Sequence, residues 1–169
     1  GESQHILKYV HEVSKKAQKC IDAFWPGPLT LILHAKPNVF APNVTAGLST
    51  VGLRMPDHPV ALELLKMLGE PVAAPSANRS GKPSPTTALH VEKDLQGRIP
   101  LILDGGATGI GLESSVVDFT VDPPVILRPG GVTAQMLSAV IGEVIEPETT
   151  KVDDATVPRA PGMKYAHYA

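Results

Sequence analysis

With one cysteine, Cys20, in 169 residues, the chain cannot form an intrachain disulfide or a thiolate-built zinc cluster. Aromatic residues make up only 4%, too few for a surface on which successive nucleic-acid bases stack. Charge of one sign is also lacking: the formal net charge is −2, so no broad basic field exists to hold a polyphosphate backbone. Apolar runs such as Leu29 to Leu33 fall far short of the about 20 residues a membrane helix needs. The opening GESQHILKYV lacks the layout of a secretion signal. These absences predict a soluble protein of a reducing compartment with no membrane partner, and the cytoplasm is its expected location. Cys20, near Ala17, Ile21 and Phe24, reads as a buried helical thiol.

What is present suits a folded domain. Hydrophobic residues reach 43% against 19% charged, enough to build a core. The 17 prolines and 15 glycines gather at segment junctions, as sharp strand-to-loop transitions require. Ile6, Leu7, Val10, Val13, Ala17, Cys20, Ile21 and Phe24 recur at three- and four-residue spacing. They predict one amphipathic helix, stopped by the prolines of Trp25 to Pro28. Strands are expected at 29–35, 50–54, 71–75, 100–104, 115–120 and 124–128. Three further helices are expected: one opened by Pro59 and closed by Gly69, one capped by Ser84 and ending near Gly97, and one from Thr133 to Ile141. The alternation indicates an α/β fold with a mixed sheet. Residues 1–145 read as one domain, and 146–169 turn polar and aperiodic, as a linker or tail does.

Standard chemical motifs fail. Gly81-Lys82 is followed by Pro83 with no P-loop spacing, and Gly105 to Gly111 misses the dinucleotide fingerprint. No nucleophile elbow occurs, and the six histidines show no metal-ligand spacing, so no metal site is expected. What remains is a set of small polar residues at strand ends, where ligands bind in α/β folds. Thr50 and Arg54 share one face of a strand. Ser76, Asn78, Ser80 and Ser84 fill one loop, Ser114 and Ser115 open a strand, and Arg128 ends another. Serine hydroxyls and two arginines suit carboxylate and phosphate oxygens. The plainer reading, in which these serines form turns and cap helices, stays open.

The stretches FWPGPLTLIL, VTAGLSTVGLRMPDHP, PVAAPSANRSGKPSPT, ILDGGATGIGLESSVVD and ILRPGG resemble, in this order, the YrdC-like threonylcarbamoyl-AMP synthases. The resemblance implies a twisted mixed sheet flanked by helices around a large concave cavity. It implies synthesis of threonylcarbamoyl-adenylate and pyrophosphate from L-threonine, bicarbonate and ATP, with Mg²⁺ accompanying ATP. tRNA would be served indirectly, through a partner threonylcarbamoyl transferase. By matching positions, Arg54, Ala74 and Ser114 resemble the L-threonine site. Thr50, Ser76, Ser84, Arg128 and Tyr165 resemble nucleotide contacts, and no residue is singled out as catalytic. The alternative is an RNA-binding or regulatory module of the same fold. The family's N-terminal PTET-type motif and basic pair are not found, and Pro161 to Ala169 resembles an interdomain linker. The expectation is therefore a fragment of the long, two-domain form without the N-terminal part of the catalytic domain or the C-terminal domain, inactive alone.

Overall fold

The computed structural model describes residues 5–109 and 113–146. In chain order its elements are α1 (Lys15–Phe24), β1 (Leu29–His34), α2 (Pro42–Thr45), β2 (Thr50–Leu53), α3 (Pro59–Leu68), α4 (Ala88–Leu95), β3 (Ser115–Asp118), β4 (Val125–Arg128) and α5 (Ala134–Ile141). They divide into two compact units, residues 5–57 with 113–146 and residues 58–109. The mixed α/β architecture agrees with the expected class.

The first unit holds a four-stranded sheet in the order β2-β1-β3-β4. β1 pairs antiparallel with β2 and parallel with β3, and β3 pairs antiparallel with β4. Strand alternation sorts the side chains. Leu29, Leu31 and Leu33, with Val51, Val117 and Ile126, join Ala17, Cys20 and Ile21 of α1 and Leu137 and Ile141 of α5 in one buried cluster. The opposite face carries a smaller apolar cluster, Ile32 and Val116 with Leu127. Cys20 is fully buried, as expected, and burial pushes its thiol pKa up to about 11.

The single helix expected over 6–24 is instead interrupted. Val10 bridges Ala35 at the sheet, and His11 N–H donates to the His34 carbonyl at 3.0 Å. Ser14 then starts α1 afresh, its hydroxyl accepting from Ala17 N–H at 3.2 Å. The hydrophobic spacing survives the break because both pieces bury against the same core. α5 follows its expected bounds closely, with Thr133 accepting from Met136 N–H.

The second unit departs further from expectation. α3 begins at Pro59 and ends at Gly69 in the left-handed region at φ +68°, as its punctuation predicts. Residues 71–75 and 100–104, however, form no strand. Val72, Leu101 and Leu103 are 49%, 69% and 56% exposed. A short apolar run becomes a strand only when a neighbour takes up its backbone N–H and C=O groups, and neither run belongs to a sheet here. The helix expected from Ser84 starts later. Thr87, not Ser84, is its N-cap, with the Thr87 hydroxyl accepting from His90 N–H at 3.3 Å.

Candidate functional site

Three motifs of the sequence meet in the first unit. The Pro26–Pro28 turn receives Ser115 N–H at the Pro28 carbonyl, at 2.9 Å. Gly131 N–H donates to the Glu113 carbonyl at 3.0 Å. Gly130 lies so close that a Cβ there would sit 2.3 Å from the Glu113 oxygen and 2.5 Å from Ser115 N. Only glycine allows this backbone approach. The Arg-Pro-Gly-Gly turn is thereby clamped against the segment that opens β3.

A register shift in the β3–β4 ladder aims Arg128. Val117 faces Ile126, yet Val116 faces Arg128, so Leu127 is the extra residue of a bulge. Ile126 packs in the helix-covered core, whereas Leu127 packs with Ile32 and Val116 on the other face. Simple alternation from Ile126 would return residue 128 to the core face. The bulge instead brings Arg128 alongside Val116, where it meets Ser114.

The polar contacts there are dense. Arg128 Nε and Nη2 donate to the Ser114 carbonyl at 3.1 and 2.8 Å, and Nη2 also donates to Ser114 Oγ at 3.1 Å. Arg128 Nη1 pairs with Glu113 Oε2 at 3.1 Å. Thr30 Oγ1 and Ser114 Oγ lie 3.0 Å apart. Burial pulls the Arg128 guanidinium below its ordinary pKa, the nearby Arg54 cation adds to that, and Glu113 opposes both. Arginine titrates so high that the group stays cationic. Arg54 donates from Nε to the Gly27 carbonyl at 3.0 Å. Thr50, half-buried and opposite His34, alternates with buried Val51, which puts Thr50, Gly52 and Arg54 on the face away from the helices. Two guanidiniums and three hydroxyls on one sheet face form an arrangement that can hold carboxylate or phosphate oxygens. Ser115 has another role: its hydroxyl donates to the Val132 carbonyl at 2.6 Å and accepts from Val132 N–H at 3.0 Å, locking the turn from inside.

In the second unit, Ser76 and Ser84 line an open cleft of about 290 Å³ together with Thr86, Thr87 and the 103–108 loop. Its walls are braced. Thr108 N–H donates to the Thr86 carbonyl at 2.9 Å, and Gly106 N–H donates to Asp104 Oδ1 at 2.9 Å. His58 Nε2 lies 3.1 Å from the Gly105 carbonyl. Asn78 Nδ2 donates to the Arg79 and Lys82 carbonyls, so it shapes the loop. Asp94 anchors the loop to α4, accepting from Arg79 N–H at 2.6 Å and Nε at 3.2 Å. The Arg79 backbone hydrogen bond is the main cause holding the Asp94 carboxyl below the usual carboxylate range.

The structure thus groups Arg54, Thr50, Ser114 and Arg128 in one unit and Ser76 and Ser84 in the other. Ala74, in the irregular 71–75 segment, is exposed and is not among the lining of the Ser76–Ser84 cleft. Tyr165 lies outside the described residues, as do 110–112 of the glycine loop. Sequence reasoning missed Glu113 and Thr30, although both stand inside motifs it quoted. Their signal was polar chemistry within otherwise apolar or serine-bearing stretches, readable only once β1 and β3 are known to be neighbours. Among the described residues, no three His, Cys, Asp or Glu side chains gather in one group.

Comparison with known proteins gives this geometry a context. Residues 1–130 match the family model Sua5–YciO–YrdC, described as telomere recombination, and residues 132–169 match the C-terminal domain of threonylcarbamoyl-AMP synthase. A threonylcarbamoyl-AMP synthase from Bacillus subtilis is 57% identical over 92% of the chain and 44% of its own length. One from Pyrococcus abyssi is 52% identical over 94% of the chain and 46% of its own length. The solved structure of P. abyssi Sua5 complexed with L-threonine superposes with a TM-score of 0.87 at 48% identity, covering 95% of this chain and 47% of that one. The chain spans less than half the length of these relatives. The two matched models correct the expectation of a chain lacking these domains: the Sua5–YciO–YrdC model is matched at 1–130 and the C-terminal domain model at 132–169, and the relatives align along 92–94% of the chain. The chain belongs to the Sua5–YciO–YrdC family.

Proposed function

We propose that the protein makes threonylcarbamoyl-adenylate and pyrophosphate from L-threonine, bicarbonate and ATP, as a nucleotidyltransferase serving tRNA modification. The observation that carries this reading is the Arg128–Ser114–Thr30 cluster, with Arg54 on the same sheet face, in a chain whose relatives are threonylcarbamoyl-AMP synthases. Arg54 would grip the threonine carboxylate, with Ala74 and Ser114 lining that subsite. Thr50, Ser76, Ser84, Arg128 and Tyr165 would hold the nucleotide.

The chemistry asks for positioning and charge neutralisation. The threonine amine condenses with bicarbonate, losing water, to give a carbamate. A carbamate oxygen then attacks the α-phosphorus of ATP, and pyrophosphate leaves. No covalent enzyme intermediate is needed, so the protein's contribution is alignment of the two reactants and fixed cations near the developing charge. Mg²⁺ would arrive with the triphosphate. This ion commonly binds through phosphates and retained waters, which suits a site where no three-ligand cluster is found among the described residues. The product would pass to a partner transferase that modifies tRNA in the cytoplasm.

The test is a pyrophosphate-release assay on the full-length protein with ATP, threonine and bicarbonate. Release that depends on all three, with the adenylate found by mass spectrometry, is the expected result. Release independent of bicarbonate, or salt-sensitive RNA binding with no adenylate formed, would overturn it.

A further inference from the structure

Glu113 and Thr30 each contact one member of the Ser114–Arg128 pair. Glu113 Oε2 lies 3.1 Å from Arg128 Nη1, on a guanidinium that is 16% exposed against 35% for the carboxylate. Charge-assisted bonds in so sheltered a place are stronger than surface pairs and fix geometry. From the same guanidinium, Nε and Nη2 reach the Ser114 carbonyl and Nη2 reaches Ser114 Oγ. That hydroxyl has Thr30 Oγ1 3.0 Å away on the neighbouring strand. The chain of contacts therefore runs Glu113–Arg128–Ser114–Thr30.

We propose that Glu113 and Thr30 are positioning residues. Glu113 holds the Arg128 guanidinium in the pose that binds Ser114, Thr30 orients the Ser114 hydroxyl, and the two ends of the threonine–nucleotide site are thereby fixed as one unit. The proposal rests on the reading of Ser114 as a threonine-side group and Arg128 as a nucleotide-side group. Three further observations support it. Gly130, on which the Arg128 turn depends, allows the backbone contact that brings Glu113 beside the arginine. Burial and Arg54 both press against the charge of Arg128, so an anionic partner is what stabilises it there. The β4 bulge, finally, serves to deliver Arg128 to this face.

The consequence is that one residue governs two substrates. In the full-length protein, Glu113→Gln is expected to raise the KM for ATP and for threonine together. Each should rise by about tenfold, the size of one charge-assisted hydrogen bond, while kcat stays within about threefold. Glu113→Asp should restore part of both. Thr30→Val keeps the branched shape that suits a strand and deletes only the hydroxyl. It is expected to raise the threonine KM by about threefold and leave the ATP KM unchanged, and it provides the measurement if Glu113→Gln does not fold. A Glu113→Gln enzyme altered in ATP alone, or unaltered in both, overturns the Glu113 assignment. A Thr30→Val enzyme with an unchanged threonine KM overturns the Thr30 assignment. A wild-type protein that forms no adenylate would sink the underlying reading instead, so the two failures are told apart by the parent enzyme.

Discussion

Leu31 and Leu64 both sit on apolar stripes, yet Leu31 is fully buried and Leu64 is 37% exposed. The same contrast separates the two units. In the first, α1 and α5 close over a sheet whose Leu29, Leu31 and Val117 are all inaccessible. In the second, neither α3 nor α4 has a buried residue, and Met67, Leu89 and Leu101 are 79%, 74% and 69% exposed. Candidate ligand groups in the first unit stand on strands, as Thr50 and Arg128 do, or directly beside one, as Arg54 and Ser114 do, and Ser114 is held by Arg128. Those of the second stand in loops held by caps and turns. A sheet fixes a guanidinium more closely than a loop fixes a serine.

The largest test of that contrast is a pair of truncations. Leu31→Ala should cost about 2–5 kcal/mol, because it leaves a cavity in packed surroundings. Leu64→Ala should cost less than about 1 kcal/mol, as expected for a side chain in contact with water. Chemical denaturation of the two variants reads the difference directly, and equal losses would break the contrast.

A smaller effect concerns the cap of α4. Thr87→Ala should destabilise by about 1 kcal/mol through the lost acceptor for His90 N–H. Ser84→Ala should stay within about 0.5 kcal/mol. Hydrogen exchange of the first-turn amides of α4 separates the two, and a larger loss at Ser84 would restore the cap to that residue.

The smallest effect is electrostatic. Because the folded Asp94 carboxyl titrates below its usual range, its tether to Arg79 is complete above the unfolded value of about 3.9 and is lost as pH falls through the lower folded value. The Arg79 amide resonance should report this with a midpoint below 3.9, and Asp94→Asn should abolish the transition. A midpoint at or above 3.9 would mean that the loop is not anchored by this carboxylate.

These differences also mark what could be read from sequence. All four strands of the first unit were legible, since alternation and flanking prolines carry strand identity when a core face exists. The break at Ser14 was not, because the apolar spacing of Ile6 to Phe24 continues across it and only tertiary pairing of Val10 with Ala35 reveals it. Residues 71–75 and 100–104 have the composition of strands, but composition does not supply a neighbouring backbone. Ser84 has the composition of a cap because Pro85 follows it, yet Thr87 has the geometry. Among site residues, Arg54, Ser114 and Arg128 stood out by chemistry. Glu113 and Thr30 needed the pairing of β1 with β3, which places Thr30 opposite Val116.

The bulge at Leu127 has one more implication, for how this sheet can change. A strand keeps a count of odd and even, and the bulge at the extra residue in β4 is what makes Arg128 come out on the Val116 side. Point substitutions leave that parity intact. Deletion of residue 127 would remove the bulge yet leave the guanidinium beside Val116, directly after core-facing Ile126, whereas straightening the strand with Leu127 kept would send it toward Leu31 and Val117, so β4 should tolerate the loss of that one residue better than the loss of its bulge.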